Sequence, residues 1–81
     1  MHASTDVARL GAILVRMGFQ AILGSDIDGD IGVRFSNSEE FGRFVAEAVR
    51  LLSGDEVVRI GGGCLATLSR HAAALICDRA E

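Results

Sequence analysis

The strongest constraint on the fold is an alternating segment, residues 31–36, that follows the pair Asp28-Gly29. Apolar side chains occupy every second position of this segment, which is the period-two pattern of a half-buried strand. Asp-Gly is the pair that a two-residue type I′ turn requires, because both residues need φ > 0. The region from Phe19 to Ser36 is therefore predicted to be a β-hairpin. Its register places Ile22 opposite Phe35, Leu23 opposite Arg34 and Gly24 opposite Val33.

A helix is predicted before the hairpin, from about Thr5 to Met17. Ser4 or Thr5 can cap its first N–H groups, and Gly18 ends it. At 100° per residue, one face of this helix is apolar. That face consists of Val7, Leu10, Leu14 and Met17.

A second helix is predicted after the hairpin. Ser36-Asn37-Ser38-Glu39 offers a capping box at its start, and Gly54 follows Ser53 as its end. Between these signals, apolar residues recur with helical spacing on one stripe. The stripe consists of Phe41, Phe44, Val45, Ala48, Leu51 and Leu52.

The last third of the chain predicts one more strand and one more helix. Residues Glu56 to Ile60 fit a short strand, and the three glycines at 61–63 break it. A third helix is predicted from about Cys64 to Arg79. Its main apolar face would consist of Leu65, Leu68, Ala72, Leu75 and Ile76.

Together these elements predict an α+β two-layer sandwich with the order α-β-β-α-β-α. A right-handed crossover after the hairpin would place the third strand beside the first. This gives a three-stranded mixed sheet of order 2-1-3 with the helices mainly on one face. Because 81 residues are too few for two cores, residues 1–81 should form a single globular domain.

Charge and composition narrow the classes of function. The chain has 8 basic and 11 acidic residues, a net charge of −3 and a pI of about 5.2. These values argue against nonspecific binding to nucleic acid or to an anionic membrane. No apolar run is long enough to span a bilayer, and the N-terminus lacks the pattern of a secretory signal. Two cysteines without such a signal favour a cytoplasmic protein with reduced thiols.

Surplus apolar surface predicts contact with another chain. In the predicted hairpin, the first strand would have apolar side chains on both faces, and helices on one face would leave the second set exposed. The third helix also has an additional face of small residues. The predicted interface consists of Phe19, Ala21, Leu23, Ala66, Ala73 and Cys77. A homodimer is the expected assembly, because it is the commonest closed one.

The glycine-rich turn is a candidate ligand site. A strand, a glycine turn and a helix start can bind an anion, since free N–H groups and the helix dipole point at it. This assigns a phosphate or carboxylate site to Gly61, Gly62, Gly63 and Cys64. Cys64 and Arg70 also have the C-x5-R spacing of thiolate phosphatases, but no glycine lies between them to form a phosphate-cradling loop.

The acidic segment from Asp26 to Asp30 resembles the start of a calcium loop, although Ile31 stands where such a loop needs Gly. An acidic hairpin turn is the simpler interpretation. No metal or cofactor is expected. The sequence thus predicts a cytoplasmic, homodimeric protein-interaction module without catalytic activity. An anionic-ligand binder at the glycine turn is the alternative, and a Cys64 thiolate enzyme is a third hypothesis.

Overall fold

The computed structural model describes residues 2–52 and 58–80, which form three helices and four strands. In chain order these elements are α1 (His2–Arg16), β1 (Ala21–Ser25), β2 (Ile31–Phe35), α2 (Ser38–Leu51), β3 (Val58–Gly61), β4 (Leu65–Leu68) and α3 (Arg70–Ala80). The strands form one antiparallel sheet in the order β1-β2-β4-β3. The α+β class and the placement of the helices on one face agree with the sequence prediction.

The hydrophobic core lies between the three helices and one face of the sheet. On β2, Ile31, Val33 and Phe35 are buried, whereas Arg34 between them is exposed. α1 packs against β1 and α3, and α2 packs against β2 and α3. The buried residues of this core are Leu10, Ile13, Leu14, Phe19, Ile31, Val33, Phe35, Phe44, Ala48, Leu51, Leu52, Ala66, Leu68, Ala72, Ala73, Ile76 and Cys77.

Helix α1 ends at a glycine, as its sequence predicts. Gly18 has φ of +88°, and its N–H donates to the carbonyl of Val15 at 3.0 Å. The N–H of Phe19 donates to the carbonyl of Leu14 at 2.9 Å. These two bonds form a Schellman motif, which satisfies carbonyls that the helix end would otherwise leave unpaired.

Helix α2 is capped one residue later than the capping box Ser36-Asn37-Ser38-Glu39 predicts, at Asn37 rather than Ser36. The Asn37 side chain accepts from the Glu40 N–H at 2.8 Å. In a capping box, the Glu40 carboxylate would accept a hydrogen bond from the Asn37 N–H, but it does not do so here. Its carboxylate accepts instead from the N–H of Gln20 at 2.6 Å, which ties α2 to the start of β1. The predicted stripe faces the core. The helix ends at Leu51 with Leu52 as its C-cap, before the expected end at Ser53 and Gly54, which lie outside the described residues.

The prediction of a helix beginning at Cys64 is wrong. Leu65–Leu68 is strand β4, and α3 begins only at Arg70, where the Ser69 hydroxyl accepts from the Ala72 N–H at 3.0 Å. Leu65-Ala66-Thr67-Leu68 has good helix formers, but pairing with strands on both sides outweighs that local preference.

The extra strand also changes the sheet. The predicted three-stranded mixed sheet of order 2-1-3 is replaced by four antiparallel strands, with β1 at an edge and β4 beside β2. The chain after α2 therefore does not return beside β1. It enters at the far edge as β3 and turns back through β4.

The predicted hairpin register is displaced by one residue. Ala21 lies opposite Phe35, Ile22 opposite Arg34 and Leu23 opposite Val33. The cause is the turn: the Gly29 N–H donates to the carbonyl of Asp26, and the Asp26 N–H donates to the carbonyl of Asp30. These bonds enclose a three-residue loop with Gly29 at φ +88°, not the two-residue loop expected from Asp28-Gly29. A shift of one residue exchanges the two faces of a strand.

Candidate functional site

The glycine turn does not adjoin a helix. Gly61 ends β3 and Leu65 begins β4, so Gly62, Gly63 and Cys64 connect two strands of a hairpin. Gly63 and Cys64 have φ of +71° and +58°, and the Cys64 carbonyl accepts from the Phe35 N–H. The helix dipole that the anion-site hypothesis needed at Cys64 is therefore not there.

Cys64 and Arg70 lie at opposite ends of β4. A strand of four residues separates its ends by about 13 Å, and Arg70 packs beside the β1–β2 loop at Gly29. The structure does not bring this thiol and this guanidinium together. Cys64 is half-buried, Cys77 is buried, and the two are not joined in a disulfide.

Two of the three carboxylates of the acidic loop, those of Asp26 and Asp30, form bonds within the loop and the sheet. The Asp26 carboxylate accepts from the N–H groups of Asp28 and Asp30, at 2.9 and 3.0 Å. The Asp30 carboxylate forms an ion pair with Arg59 at 2.8 Å. These bonds correspond to the hairpin-turn interpretation of the segment.

The predicted interface residues pack inside the chain. Four of them, Phe19, Ala66, Ala73 and Cys77, are buried, and Ala21 and Leu23 are half-buried against the core. The register explains the last two, because the observed pairing turns Ala21 and Leu23 toward the helices and Ile22 away from them. The exposed apolar side chain of β1 is thus Ile22, with 76% of its surface accessible.

The second face of the sheet has no helix over it among the described residues. Pairing across the four strands arranges this open face in two rows. One row consists of Ile22, Arg34, Leu65 and Gly61, and the other consists of Gly24, Gly32, Thr67 and Arg59. Three of these eight positions are glycines, namely Gly24, Gly32 and Gly61, so few side chains project from the open face.

Leu65 covers part of this glycine surface. A Cβ placed on Gly32 would lie 3.6 Å from the Leu65 Cδ1, and one placed on Gly61 would lie 3.8 Å from Cδ2. Leu65 thus lies across its own sheet and is half-buried. At Gly24, by contrast, a Cβ would meet nothing within 4 Å, so the β1 end of the open face is unfilled.

The outer edge of β1 has backbone groups without a strand partner. The bond from the Asp26 N–H to the Asp30 carbonyl fixes which residues of β1 face β2. Because antiparallel pairing alternates, Ile22 and Gly24 turn their N–H and C=O groups toward β2. Ala21, Leu23 and Ser25 turn theirs outward, where the described part of the chain provides no strand.

A shallow depression lies between the end of α1 and α2. Its lining includes Phe19 and Arg43, whose guanidinium lies 5.3 Å from the Phe19 ring centroid. Nearby, Glu47 accepts from Arg50 at 2.7 Å. This hydrogen bond lowers the pKa of the Glu47 carboxyl and raises the pKa of the Arg50 guanidinium. Both groups are exposed to water, so the pair holds α2 only weakly.

Comparisons with protein-family models, with curated proteins and with solved structures give no match to this chain. Within residues 2–52 and 58–80, no helix is long and apolar enough to cross a membrane. The same residues contain no group of three or more His, Cys, Asp or Glu side chains placed to hold a metal ion.

Proposed function

We propose that this chain is a cytoplasmic, non-catalytic protein-interaction domain that acts as a homodimer. The observation that carries the proposal is the exposure of Ile22 on the edge strand β1, beside a sheet face that no described helix covers. Exposed apolar surface next to unpaired strand backbone is a feature of sites where another chain binds.

The positions of the candidate chemical groups also support a binding role. Cys64 and Arg70 lie at opposite ends of β4, and two of the three carboxylates of the acidic loop form bonds within the loop and the sheet. Of the exposed large apolar side chains described on the strands, Ile22 and Ile60, Ile22 is the more exposed. The proposed cytoplasmic location rests on Cys64 and Cys77, which are not joined in a disulfide, as is usual for cysteines in a reducing compartment.

The test is the mass of the protein in solution, measured by sedimentation equilibrium across a wide range of concentration. We expect a reversible dimer of the 8.5 kDa chain. Ile22→Lys should weaken the dimer, because it places a hydrated ammonium where an apolar side chain is buried on association. Ile27→Lys is the matched control, since Ile27 is fully exposed at the tip of the loop. A monomer at all concentrations contradicts the proposal.

A further inference from the structure

We infer that the second copy binds at the outer edge of β1, with the two β1 strands antiparallel and a two-fold axis passing between the two Leu23 residues. The four strands of each copy would then form one continuous sheet. This inference rests on the proposed homodimer and names its surface and its register.

The backbone of β1 is suited to this pairing. Ala21, Leu23 and Ser25 direct their N–H and C=O groups outward. In the proposed register Leu23 lies opposite its own symmetry mate, and Ala21 lies opposite Ser25 of the second copy. Each of these pairs can exchange both of its N–H···O bonds, as hydrogen-bonded pairs of an antiparallel ladder do.

The side chains on the open face are complementary in the same register. Ile22 lies opposite Gly24 of the second copy, in a non-hydrogen-bonded pair whose Cα atoms approach to about 4.5 Å. Ile22 is the side chain that protrudes from β1, and the space above Gly24 is empty. The two-fold axis repeats the contact, so the Ile22 side chain of each copy fills the space above Gly24 of the other copy.

The charges of the two sheet edges point to β1 as the binding edge. Exposed edge strands usually carry charges, prolines or bulges that prevent pairing with other chains. Both edge strands expose an isoleucine, Ile22 on β1 and Ile60 on β3, but β3 also carries the charged Arg59. Strand β1, with the sequence Ala-Ile-Leu-Gly-Ser, has no charge and no proline, and it pairs with β2 without a bulge. A second copy therefore meets no like charge along β1.

Helix α1 extends the same surface on the other side of the sheet. Arg9 pairs with Asp78 of α3, and Gly11 lies about 160° around the helix from Arg9, so it faces away from α3. Val15, 72% exposed, is one turn further along. Joining two β1 strands brings the two α1 helices side by side, and small residues allow helices to approach to about 8 Å. The exposed or half-buried positions here are Ala8, Gly11, Ala12 and Val15.

Stacking of two open faces fits the structure less well. Such a dimer would take the exposed Arg34 of each copy out of water and bring it toward the other copy's sheet. Removing a guanidinium from water without a partner is costly. Edge pairing leaves Arg34 solvated.

The test is amide hydrogen exchange by NMR on the full chain. In the dimer we expect the Ala21, Leu23 and Ser25 amides to exchange at least about 10-fold more slowly than in dilute monomer. Mixed dimers, with one copy isotope-labelled, should show a contact between the Hα atoms of Ile22 and Gly24 across the interface. The Ile60 amide, which points outward from the other edge of the sheet, is the internal reference.

Two variants test the register. Ile22→Lys should raise the dissociation constant of the dimer by about 100-fold, because the change occurs twice per dimer. Adding Gly24→Glu to Ile22→Lys should restore part of the affinity, since the new carboxylate and ammonium face each other between copies. Ile27→Lys should leave the constant unchanged.

The outcomes separate this inference from the proposed function. A dimer in which the Ala21, Leu23 and Ser25 amides are not protected overturns edge pairing and leaves the homodimer intact. A dimer with protected amides but no contact between Ile22 and Gly24 overturns the register. A monomer at all concentrations overturns both proposals.

Discussion

Replacing Leu68 and Leu65 by alanine, one at a time, distinguishes a strand from a helix at residues 65–68. In a helix the two leucines, three residues apart, would share one apolar face. In β4 they point to opposite faces of the sheet, because three is an odd number of steps. Leu68 has no accessible surface, whereas Leu65 is half-buried on the open face.

The burial of the two side chains sets the expected magnitudes. Leu68→Ala leaves a cavity between the sheet and the helices and should lower the free energy of unfolding by about 3 kcal/mol. Leu65→Ala removes contacts over Gly32 and Gly61 on a side open to water, and should cost about 1 kcal/mol or less. For a domain of this size the difference corresponds to about 10 °C in Tm.

The assay is urea unfolding followed by far-ultraviolet circular dichroism, since the chain has no Trp or Tyr for fluorescence. All variants are compared at one protein concentration, because association stabilises the folded chain. Equal losses for Leu65→Ala and Leu68→Ala would refute the strand assignment. A larger loss for Leu65→Ala would place the open face on the wrong side of the sheet.

Three further perturbations test local features. Asn37→Ala should cost about 1 kcal/mol of stability in the same urea assay, and Asn37→Asp, which keeps a capping oxygen, should cost little. Gly29→Ala should cost about 1–2 kcal/mol, because φ is +88° and the added Cβ would lie 2.6 Å from the Arg70 Cδ; Arg70→Ala should relieve part of that loss. Arg50→Gln should raise the pKa of the Glu47 carboxyl in an NMR titration, because the hydrogen bond from Arg50 lowers it. The pair's contribution to stability is present above the unfolded pKa of Glu47 and is lost as pH falls through the lowered folded pKa.

The sequence predicted the elements whose signals are local. Helix α2 has its predicted stripe of apolar side chains on the core, and its cap lies one residue from the predicted position, at Asn37. The helix before the hairpin ends at Gly18, as expected. These signals depend on neighbours within a few residues, so a single sequence is enough to read them.

Strand β4 could not be predicted from local sequence signals. Its residues favour a helix when taken alone, and only pairing with β2 and β3 makes them a strand. One signal did point to it: three glycines between two short apolar runs are typical of a hairpin loop. Interpreting those glycines as the approach to a helix placed Cys64 at a helix start and produced the anion-site hypothesis.

The exposed surface was misplaced because of one residue in a turn. Asp28-Gly29 fits both a two-residue loop and a three-residue loop with Gly29 at its end, and the two differ by one step in register. The shorter loop put Ala21 and Leu23 on the open face, and the actual loop puts Ile22 there. The alternating segment 31–35 limits the choice between the two registers. Its apolar side chains face the core, and in the observed register Ala21 and Leu23 of β1 lie on the same side.

The packing of α1 against α3 has a consequence for the order in which the chain folds. The ion pair between Arg9 and Asp78 joins residues 69 positions apart, whereas both hairpins close over loops of three residues. The hairpins can therefore pair early, but the side of α1 that packs against α3 is covered only after α3 has formed. During synthesis, α1 emerges long before its partner exists. For that interval the part of its apolar surface that packs against α3 is exposed to water, as happens to apolar surface in partly folded chains.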